Sequence, residues 1–191
     1  GCTAGDPAAK VLHGLLRERH AFPLLEADLP EALHLQEALV PEPSLRLHAS
    51  CSVAHLHTAA ALGDWLLQRG EWNSPQRPSG GKLFISRSAL GPETRRVDQE
   101  PALETLLHQQ GWTVFHPEQH TLAEQVAMYR QARVIAAFEG SALHGLSVLG
   151  VPSPAPVVVL LGDNPSPDYF LQFRAQQIPG FFIQCTRHDP E

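Results

Sequence analysis

The sequence lacks several features that would assign it to a common class of protein. No apolar run approaches the roughly 20 residues that a membrane-spanning helix requires, and the longest, residues 157–161, has the length of a strand. Basic residues are also few: 14 Lys and Arg stand against 20 Asp and Glu, and the net charge of −6 argues against a nucleic-acid-binding protein. Charged residues make up only 18% and hydrophobic residues 43%, which favours a folded domain over a disordered chain.

Cysteine is scarce as well. Cys2, Cys51 and Cys185 lie far apart and form no C-x-x-C pair, so neither a disulfide framework nor a zinc ribbon is predicted. A reducing, cytoplasmic compartment is therefore expected. The sequence contains no G-x-G-x-x-G, no Walker-type lysine loop, no G-x-S-x-G elbow and no H-E-x-x-H. These absences argue against the common dinucleotide-binding, nucleotide-triphosphatase, hydrolase and zincin functions.

The histidines form no pattern typical of a metal site. His55 and His57 fall in a helical pattern, which turns the two side chains to different faces. His116 and His120 flank a proline in a predicted loop without a ladder of acidic residues. No metal ligand set is predicted.

The 17 prolines gather in a few segments and indicate how the chain is organised. Residues 71–81 contain two prolines and two glycines with one large apolar residue, which is typical of a linker or long loop. We therefore predict a less regular region at residues 1–80 and an α/β domain at residues 81–191. Apolar spacing in the first region predicts helices at 8–20 and 53–68 and short edge strands at 22–25 and 35–40.

The second region alternates strands with helices. Its predicted strands are residues 83–86, 112–115, 134–138, 157–161 and 181–184, and its predicted helices are residues 101–110, 121–132 and 142–149. Thr121 and Glu124 have the spacing of a capping box, and Ser141 is placed to cap the third helix. This alternation predicts a doubly wound, mainly parallel sheet.

Ligands of such sheets bind beyond the carboxyl ends of the strands, so the residues that follow each strand matter most. Arg87 follows the first strand, and Glu139, Gly140 and Ser141 follow the third and lead into a helix. A glycine lets the backbone approach a ligand closely, and the first amides of a helix attract an anion. A phosphate group is favoured there, with Arg87 as a bidentate partner.

Each of these residues also has a purely structural interpretation. An arginine after a strand is more often a surface ion-pair partner than a ligand-binding group. Glu139 can simply favour the positive end of the helix dipole. His144, one turn into the helix, is more often a packing residue than a ligand.

Six motifs in a fixed order resemble glycosyltransferase family 61. They are Leu83-Phe84-Ile85-Ser86-Arg87, Arg95-Arg96-Val97 with Gln99-Glu100, Gly111-Trp112-Thr113-Val114, Thr121-Leu122-Ala123-Glu124-Gln125-Val126, Ala132-Arg133-Val134-Ile135 and Glu139-Gly140-Ser141-Ala142-Leu143-His144. The resemblance is dense over residues 82–150 and looser over 30–165. Two positions depart from the family pattern, which has Asn at Gln99 and frequently Gly at Phe138. The E-G-S-A-L-H variant is similar to bacterial members.

The resemblance implies a two-lobed, GT-B-like enzyme whose Rossmann-like carboxyl lobe binds a nucleotide-sugar donor, usually a UDP-sugar, for transfer to a saccharide acceptor in polysaccharide biosynthesis. Negative charge builds on the leaving diphosphate, so arginine and backbone amides are the groups required. Arg87 and the amides of Gly140 and Ser141 suit that role, with His144 as a further hydrogen-bond donor. Glu139 is expected to accept from the ribose hydroxyls.

The same resemblance leaves several matters open. Arg95 or Arg96 is expected to close over the diphosphate, while the other is a solvated loop charge. Without a D-x-D acid pair, no cofactor and no obligatory metal are expected, and no catalytic base can be named.

The chain begins at Gly1 without Met, and 191 residues are too few for a complete amino-terminal lobe. We therefore expect a donor-binding lobe preceded by a remnant of its neighbour, associated with a membrane only through other parts of the full protein. The alternatives are a non-catalytic nucleotide-sugar-binding or scaffolding module, or an unrelated α/β domain whose E-G-S-A-L-H turn is only structural.

Overall fold

The computed structural model describes residues 45–46, 48–69, 78–91 and 97–185. The predicted elements at 8–20, 22–25 and 35–40 lie outside these ranges. The chain divides into two compact units, residues 1–44 and 45–191. Within the second unit, helix α1 (Val53–Gln68), which precedes the proline-rich segment, packs against the elements that follow that segment. The domain boundary near residue 80 stays a prediction.

Five parallel strands form the central sheet and confirm the predicted α/β fold. After a short antiparallel pair, β1 (Leu45–Arg46) and β2 (Ser50–Cys51), the sheet strands are β3 (Lys82–Ile85), β4 (Thr113–Phe115), β5 (Val134–Phe138), β6 (Val157–Leu161) and β7 (Gly180–Gln184). Their order across the sheet is β4-β3-β5-β6-β7. The chain therefore runs from β3 to one side and then returns to the other side at β5, which makes the β3/β5 junction the switch point of the sheet.

Three further helices flank the sheet: α2 (Glu100–Gln109), α3 (Leu122–Gln131) and α4 (Pro167–Gln176). The capping box of α3 forms as predicted, since Thr121 Oγ1 accepts from the Glu124 amide and the Glu124 carboxylate accepts from the Thr121 amide. Helices α1, α3 and α4 pack around a 3-10 segment, Ser141–Leu149, while α2 contacts β4. No helix in the described ranges is both long and apolar enough to cross a bilayer.

The core of the sheet is apolar on the strands that lie between neighbours. Leu83, Phe84, Ile135, Val157 and Val159 are all fully buried. Parallel strands are covered on both faces and so carry continuous apolar runs rather than alternation. This is why residues 134–138 and 157–161 could be predicted with their observed bounds.

The sequence patterns missed the β1–β2 pair and helix α4. The start of α4 carries a recognisable signal, because Ser166 caps the helix and Pro167 occupies its first turn. The backbone amide of His48, between β1 and β2, donates to the carboxylate of Asp168, which is buried, and the Ser166 hydroxyl donates to the same carboxylate. These hydrogen bonds, chiefly the one from His48, lower the pKa of Asp168 below its usual range.

Candidate functional site

The carboxyl ends of β3 and β5 lie side by side at the switch point. Ile85 pairs with Ala137 in the parallel register, so Arg87 and Glu139 leave the sheet at the same edge. Parallel sheets bind their ligands at this edge because two neighbouring loops diverge there and leave a crevice. The structure therefore brings together the two segments that the sequence predicted to share a site.

Arg87 reaches across this junction to the backbone after β5. Its Nη1 donates a hydrogen bond to the carbonyl oxygen of Glu139 at 2.8 Å. A Cβ atom on Gly140 would lie 3.3 Å from the same nitrogen, so any other residue at 140 would crowd the guanidinium. The glycine at this position thus allows the arginine to lie directly against the backbone.

The loop that carries Arg87 is held by a buried carboxylate. Oε1 of Glu100, a residue that is only 2% exposed, accepts from the Ser86 hydroxyl and from the Arg87 backbone amide, both at 3.0 Å. The Ser86 hydroxyl in turn accepts from the Ser88 amide at 3.1 Å and lies 2.5 Å from a carboxylate oxygen of Glu104. Glu100 thereby positions the loop of Arg87, a role that its place at the start of α2 did not reveal.

The segment after Gly140 is a 3-10 helix, Ser141–Leu149, and not the predicted α-helix. Ser141 does not cap it: Gly140 is the capping residue and no side-chain cap forms. Instead the Gly140 carbonyl accepts from the Leu143 amide at 3.0 Å. The first amides of a 3-10 helix still lack partners within the helix, so Ser141 and Ala142 can present their N–H groups to an anion.

His144 is directed to helix α4 by a hydrogen bond that its sequence position did not predict. Its Nδ1 lies 3.0 Å from Oε1 of Gln172, and its ring centroid lies 5.1 Å from that of Tyr169. Burial lowers the pKa of His55 on α1, and the electrostatic interaction with His144 lowers it further. His144 is therefore connected to both helices that flank the 3-10 segment.

Tyr169 is a further residue of this region that the sequence motifs missed. Burial raises the pKa of its hydroxyl, and the charges of Glu139 and Asp168 raise it further. The guanidinium of Arg87 and a hydrogen bond from the Gly140 amide act in the opposite direction. Tyr169 thus interacts with three of the predicted site residues although it comes from a different helix.

Glu139 supplies an unused acceptor at the same edge. Its Oε2 is buried and has no hydrogen-bond partner among the described residues. A buried carboxylate oxygen without a donor is costly, and such atoms are commonly satisfied by a ligand or by water. A carboxylate oxygen accepts strongly from a hydroxyl or N–H donor.

A cavity of about 250 Å³ lies between the two strand ends. Its lining combines one guanidinium and the amide-rich turn with an apolar wall made of Ile85, Leu90, Phe138 and Ala142. Positive charge and the backbone amides of the turn at one side favour a phosphate, while the apolar wall favours a planar or aliphatic group. The arrangement suits an anionic ligand with an organic portion.

Two predictions concern groups that the described residues do not test. Arg95 and Arg96 lie outside the described ranges. Within those ranges no three His, Cys, Asp or Glu side chains are grouped as metal ligands. That the site needs no metal and no cofactor stays a prediction.

Comparison with known proteins identifies one family. The family model for glycosyltransferase 61 matches residues 20–151, which is more than half of the chain. This match covers Arg87, Glu139 and the whole 3-10 segment but ends before α4. No curated protein matches the chain.

Proposed function

Because the chain belongs to the glycosyltransferase 61 family, we propose that it transfers a sugar from a UDP-sugar to a saccharide acceptor during polysaccharide biosynthesis. In this proposal the chain is the donor-binding lobe of a GT-B-type enzyme. One observation carries it: Arg87 lies against Gly140 at the switch point of the sheet, beside a cavity large enough for part of a nucleotide.

The proposed chemistry follows from where charge develops. As the bond to the sugar breaks, negative charge grows on the diphosphate, and a fixed cation with nearby amides stabilises that charge without reorganising. Arg87 is fixed in this way, since its backbone is held by Glu100 and its side chain by the Glu139 carbonyl. The amides of Ser141 and Ala142 would complete the cradle.

Glu139 would bind a different part of the donor. Its buried Oε2 is suited to accept from a hydroxyl of the ribose, because a carboxylate binds a hydroxyl donor more strongly than a neutral acceptor does. Phosphate at Arg87 and ribose at Glu139 would orient the nucleotide along the switch point.

Calorimetric titration of UDP into the protein tests the donor site. We expect Arg87→Ala to weaken UDP binding about 10- to 100-fold, since a hydrogen bond to a charged group contributes about 1.5–3 kcal/mol. Arg87→Lys should recover only part of the affinity, because lysine cannot bind bidentately. Arg174→Ala removes an exposed arginine on α4 and is the matched control.

Two results would contradict the proposal: wild-type protein that is folded but does not bind UDP, or UDP affinity that is the same in Arg87→Ala and Arg174→Ala. Release of UDP from UDP-hexoses, UDP-pentoses and UDP-N-acetylhexosamines in the presence of oligosaccharide acceptors then separates an enzyme from a non-catalytic binding module.

A further inference from the structure

Two buried glutamines of α4 form a relay that ends at His144. Gln176 is fully buried and Gln172 is 3% exposed, so each polar atom of their side chains needs a partner within the protein. The relay runs along one face of α4, because the two glutamines are four residues apart. It connects α4 to the 3-10 segment that carries the proposed donor site.

The orientation of Gln176 is fixed by backbone carbonyls. Its Nε2 donates to the carbonyl oxygens of Leu146 at 2.9 Å and Gly150 at 3.3 Å. If the amide group of Gln176 were flipped, its Oε1 would face the carbonyl oxygens of Leu146 and Gly150. All three oxygens are acceptors, so no hydrogen bond could form among them. Oε1 of Gln176 must therefore accept a hydrogen bond from elsewhere.

That hydrogen bond comes from Gln172, whose orientation is fixed in turn. Its Nε2 donates to Oε1 of Gln176 and to the Leu143 carbonyl, both at 3.0 Å. Both amide hydrogens of Gln172 are then used, and its Oε1 faces Nδ1 of His144 at 3.0 Å. An amide oxygen can only accept, so the hydrogen atom between these two groups belongs to His144.

We propose that Gln176 and Gln172 fix His144 as the tautomer with hydrogen on Nδ1, so that its Nε2 accepts a hydrogen bond from a hydroxyl group of the bound nucleotide sugar. The hydroxyl half of this inference rests on the proposed function, whereas the tautomer half does not. The proposed tautomer changes the role expected of His144. In the neutral ring the only N–H group donates to Gln172, so His144 does not donate to the diphosphate.

The surroundings of His144 fit an acceptor at this position. The ring of Tyr169 is tilted by 32° against that of His144, and Tyr169 interacts with Arg87, Glu139 and the Gly140 amide. His55 on α1 and Asp168 on α4 also interact electrostatically with His144. In this proposal the hydroxyl that donates to Nε2 belongs to the ligand bound beside Arg87, and Gln172 and Gln176 are positioning residues of the donor site.

Nitrogen-15 NMR of the imidazole side chains of the whole chain tests the tautomer without any ligand. At neutral pH we expect the His144 signals, assigned by their loss in His144→Gln, to show a protonated Nδ1 and a pyridine-type Nε2. Gln172→Leu removes the acceptor of the Nδ1 hydrogen and should shift the pattern toward hydrogen on Nε2. Gln119→Leu, an exposed glutamine, is the control and should change nothing.

Three results would overturn the inference: a predominant Nε2–H tautomer in the free wild type, a fully protonated ring, or a pattern unaffected by Gln172→Leu. None of them would alter the effect of Arg87→Ala on UDP binding. The hydroxyl is then located with two probes. A change of the Nε2 signal on saturation with UDP indicates a ribose hydroxyl, and a change with UDP-glucose alone indicates a sugar hydroxyl. The acceptor role is wrong if UDP binds and neither probe changes the Nε2 signal, or if either probe protonates Nε2. If UDP does not bind, the proposed function fails, and the hydroxyl half of the inference fails with it.

Discussion

Gly63 lies in the interior of α1, directly against the guanidinium of Arg130 from α3. A Cβ atom at this position would be 2.7 Å from Nη2 of Arg130 and 3.3 Å from Cγ1 of Val126. The same Nη2 donates to the carbonyl oxygens of Ala60 at 2.8 Å and Val148 at 2.9 Å. Replacing Gly63 by alanine therefore sets helix propensity against a hydrogen-bonding network.

The two effects have opposite signs and calculable sizes. Alanine in place of an interior helical glycine stabilises by about 0.8–1 kcal/mol. Moving the guanidinium away weakens two hydrogen bonds from a charged donor, each of which contributes about 1.5–3 kcal/mol when fully formed. The ion pair of Arg130 with Asp64, a mostly exposed residue, adds little. We expect Gly63→Ala to lower the free energy of unfolding by about 1–2 kcal/mol.

In a protein that already carries Arg130→Ala, the same change should have the opposite sign. The clash with Nη2 is then absent, and Gly63→Ala should stabilise by up to about 1 kcal/mol, reduced by the tight contact with Val126. The double-mutant cycle should thus give a coupling of about 2–3 kcal/mol.

Urea denaturation followed by far-ultraviolet circular dichroism measures all four proteins, with the midpoint compared at constant slope. Stabilisation of the wild type by Gly63→Ala would refute this prediction, since the guanidinium would then move at no cost. Equal destabilisation of both backgrounds would refute it as well, since the added methyl group would then clash with the rest of the helix packing and not with Arg130.

Three further predictions concern single residues. Gln99 caps α2 with φ of +62°, a left-handed conformation that asparagine and glycine adopt more readily. Gln99→Asn and Gln99→Gly should each increase the free energy of unfolding by up to about 1 kcal/mol and so raise the urea midpoint. An unchanged or lower midpoint would contradict this. Because the pKa of Asp168 is lowered in the folded state, its carboxylate stabilises the fold above the ordinary aspartate range, and this stabilisation is lost as pH falls through the lowered pKa. The difference in free energy of unfolding between wild type and Asp168→Asn should therefore narrow below about pH 4. Asp163→Asn, at an exposed residue, is the control and should show no such difference. The only two tyrosines, Tyr129 and Tyr169, are buried, and burial raises the pKa of both hydroxyls. Alkaline absorbance titration should therefore show tyrosinate above pH 10 in the native protein and near pH 10 in urea, and the free energy of unfolding should fall as pH rises above about 10. Titration of the native protein at the ordinary tyrosine pKa would contradict the effect of burial.

The regular elements could be predicted because their signals are local. The capping box of α3 uses residues three apart, and buried parallel strands such as β5 and β6 carry uninterrupted apolar runs. Helix α4 was missed although Ser166 and Pro167 signal its start, because its aromatic and polar residues give only a weak apolar stripe.

The site residues divide in the same way. Arg87, Glu139 and Gly140 could be named because they directly follow strands whose carboxyl ends must share an edge. Glu100 and Tyr169 could not be assigned, since their roles depend on contacts made after α2 and α4 have packed. The predicted cap at Ser141 was wrong because the Leu143 amide bonds the Gly140 carbonyl and closes the tighter 3-10 turn.

By itself the sequence determined the parallel α/β fold, the family and the two strand ends that form the candidate site, because apolar period, caps and motif order are all encoded over a few residues. Only the tertiary structure decided the 3-10 geometry after Gly140, the contact of Arg87 with the Glu139 carbonyl and the glutamine relay to His144. Those contacts join residues about 30 to 50 positions apart in the sequence, and their hydrogen bonds are specified by side-chain orientation in the packed interior, which no local pattern records.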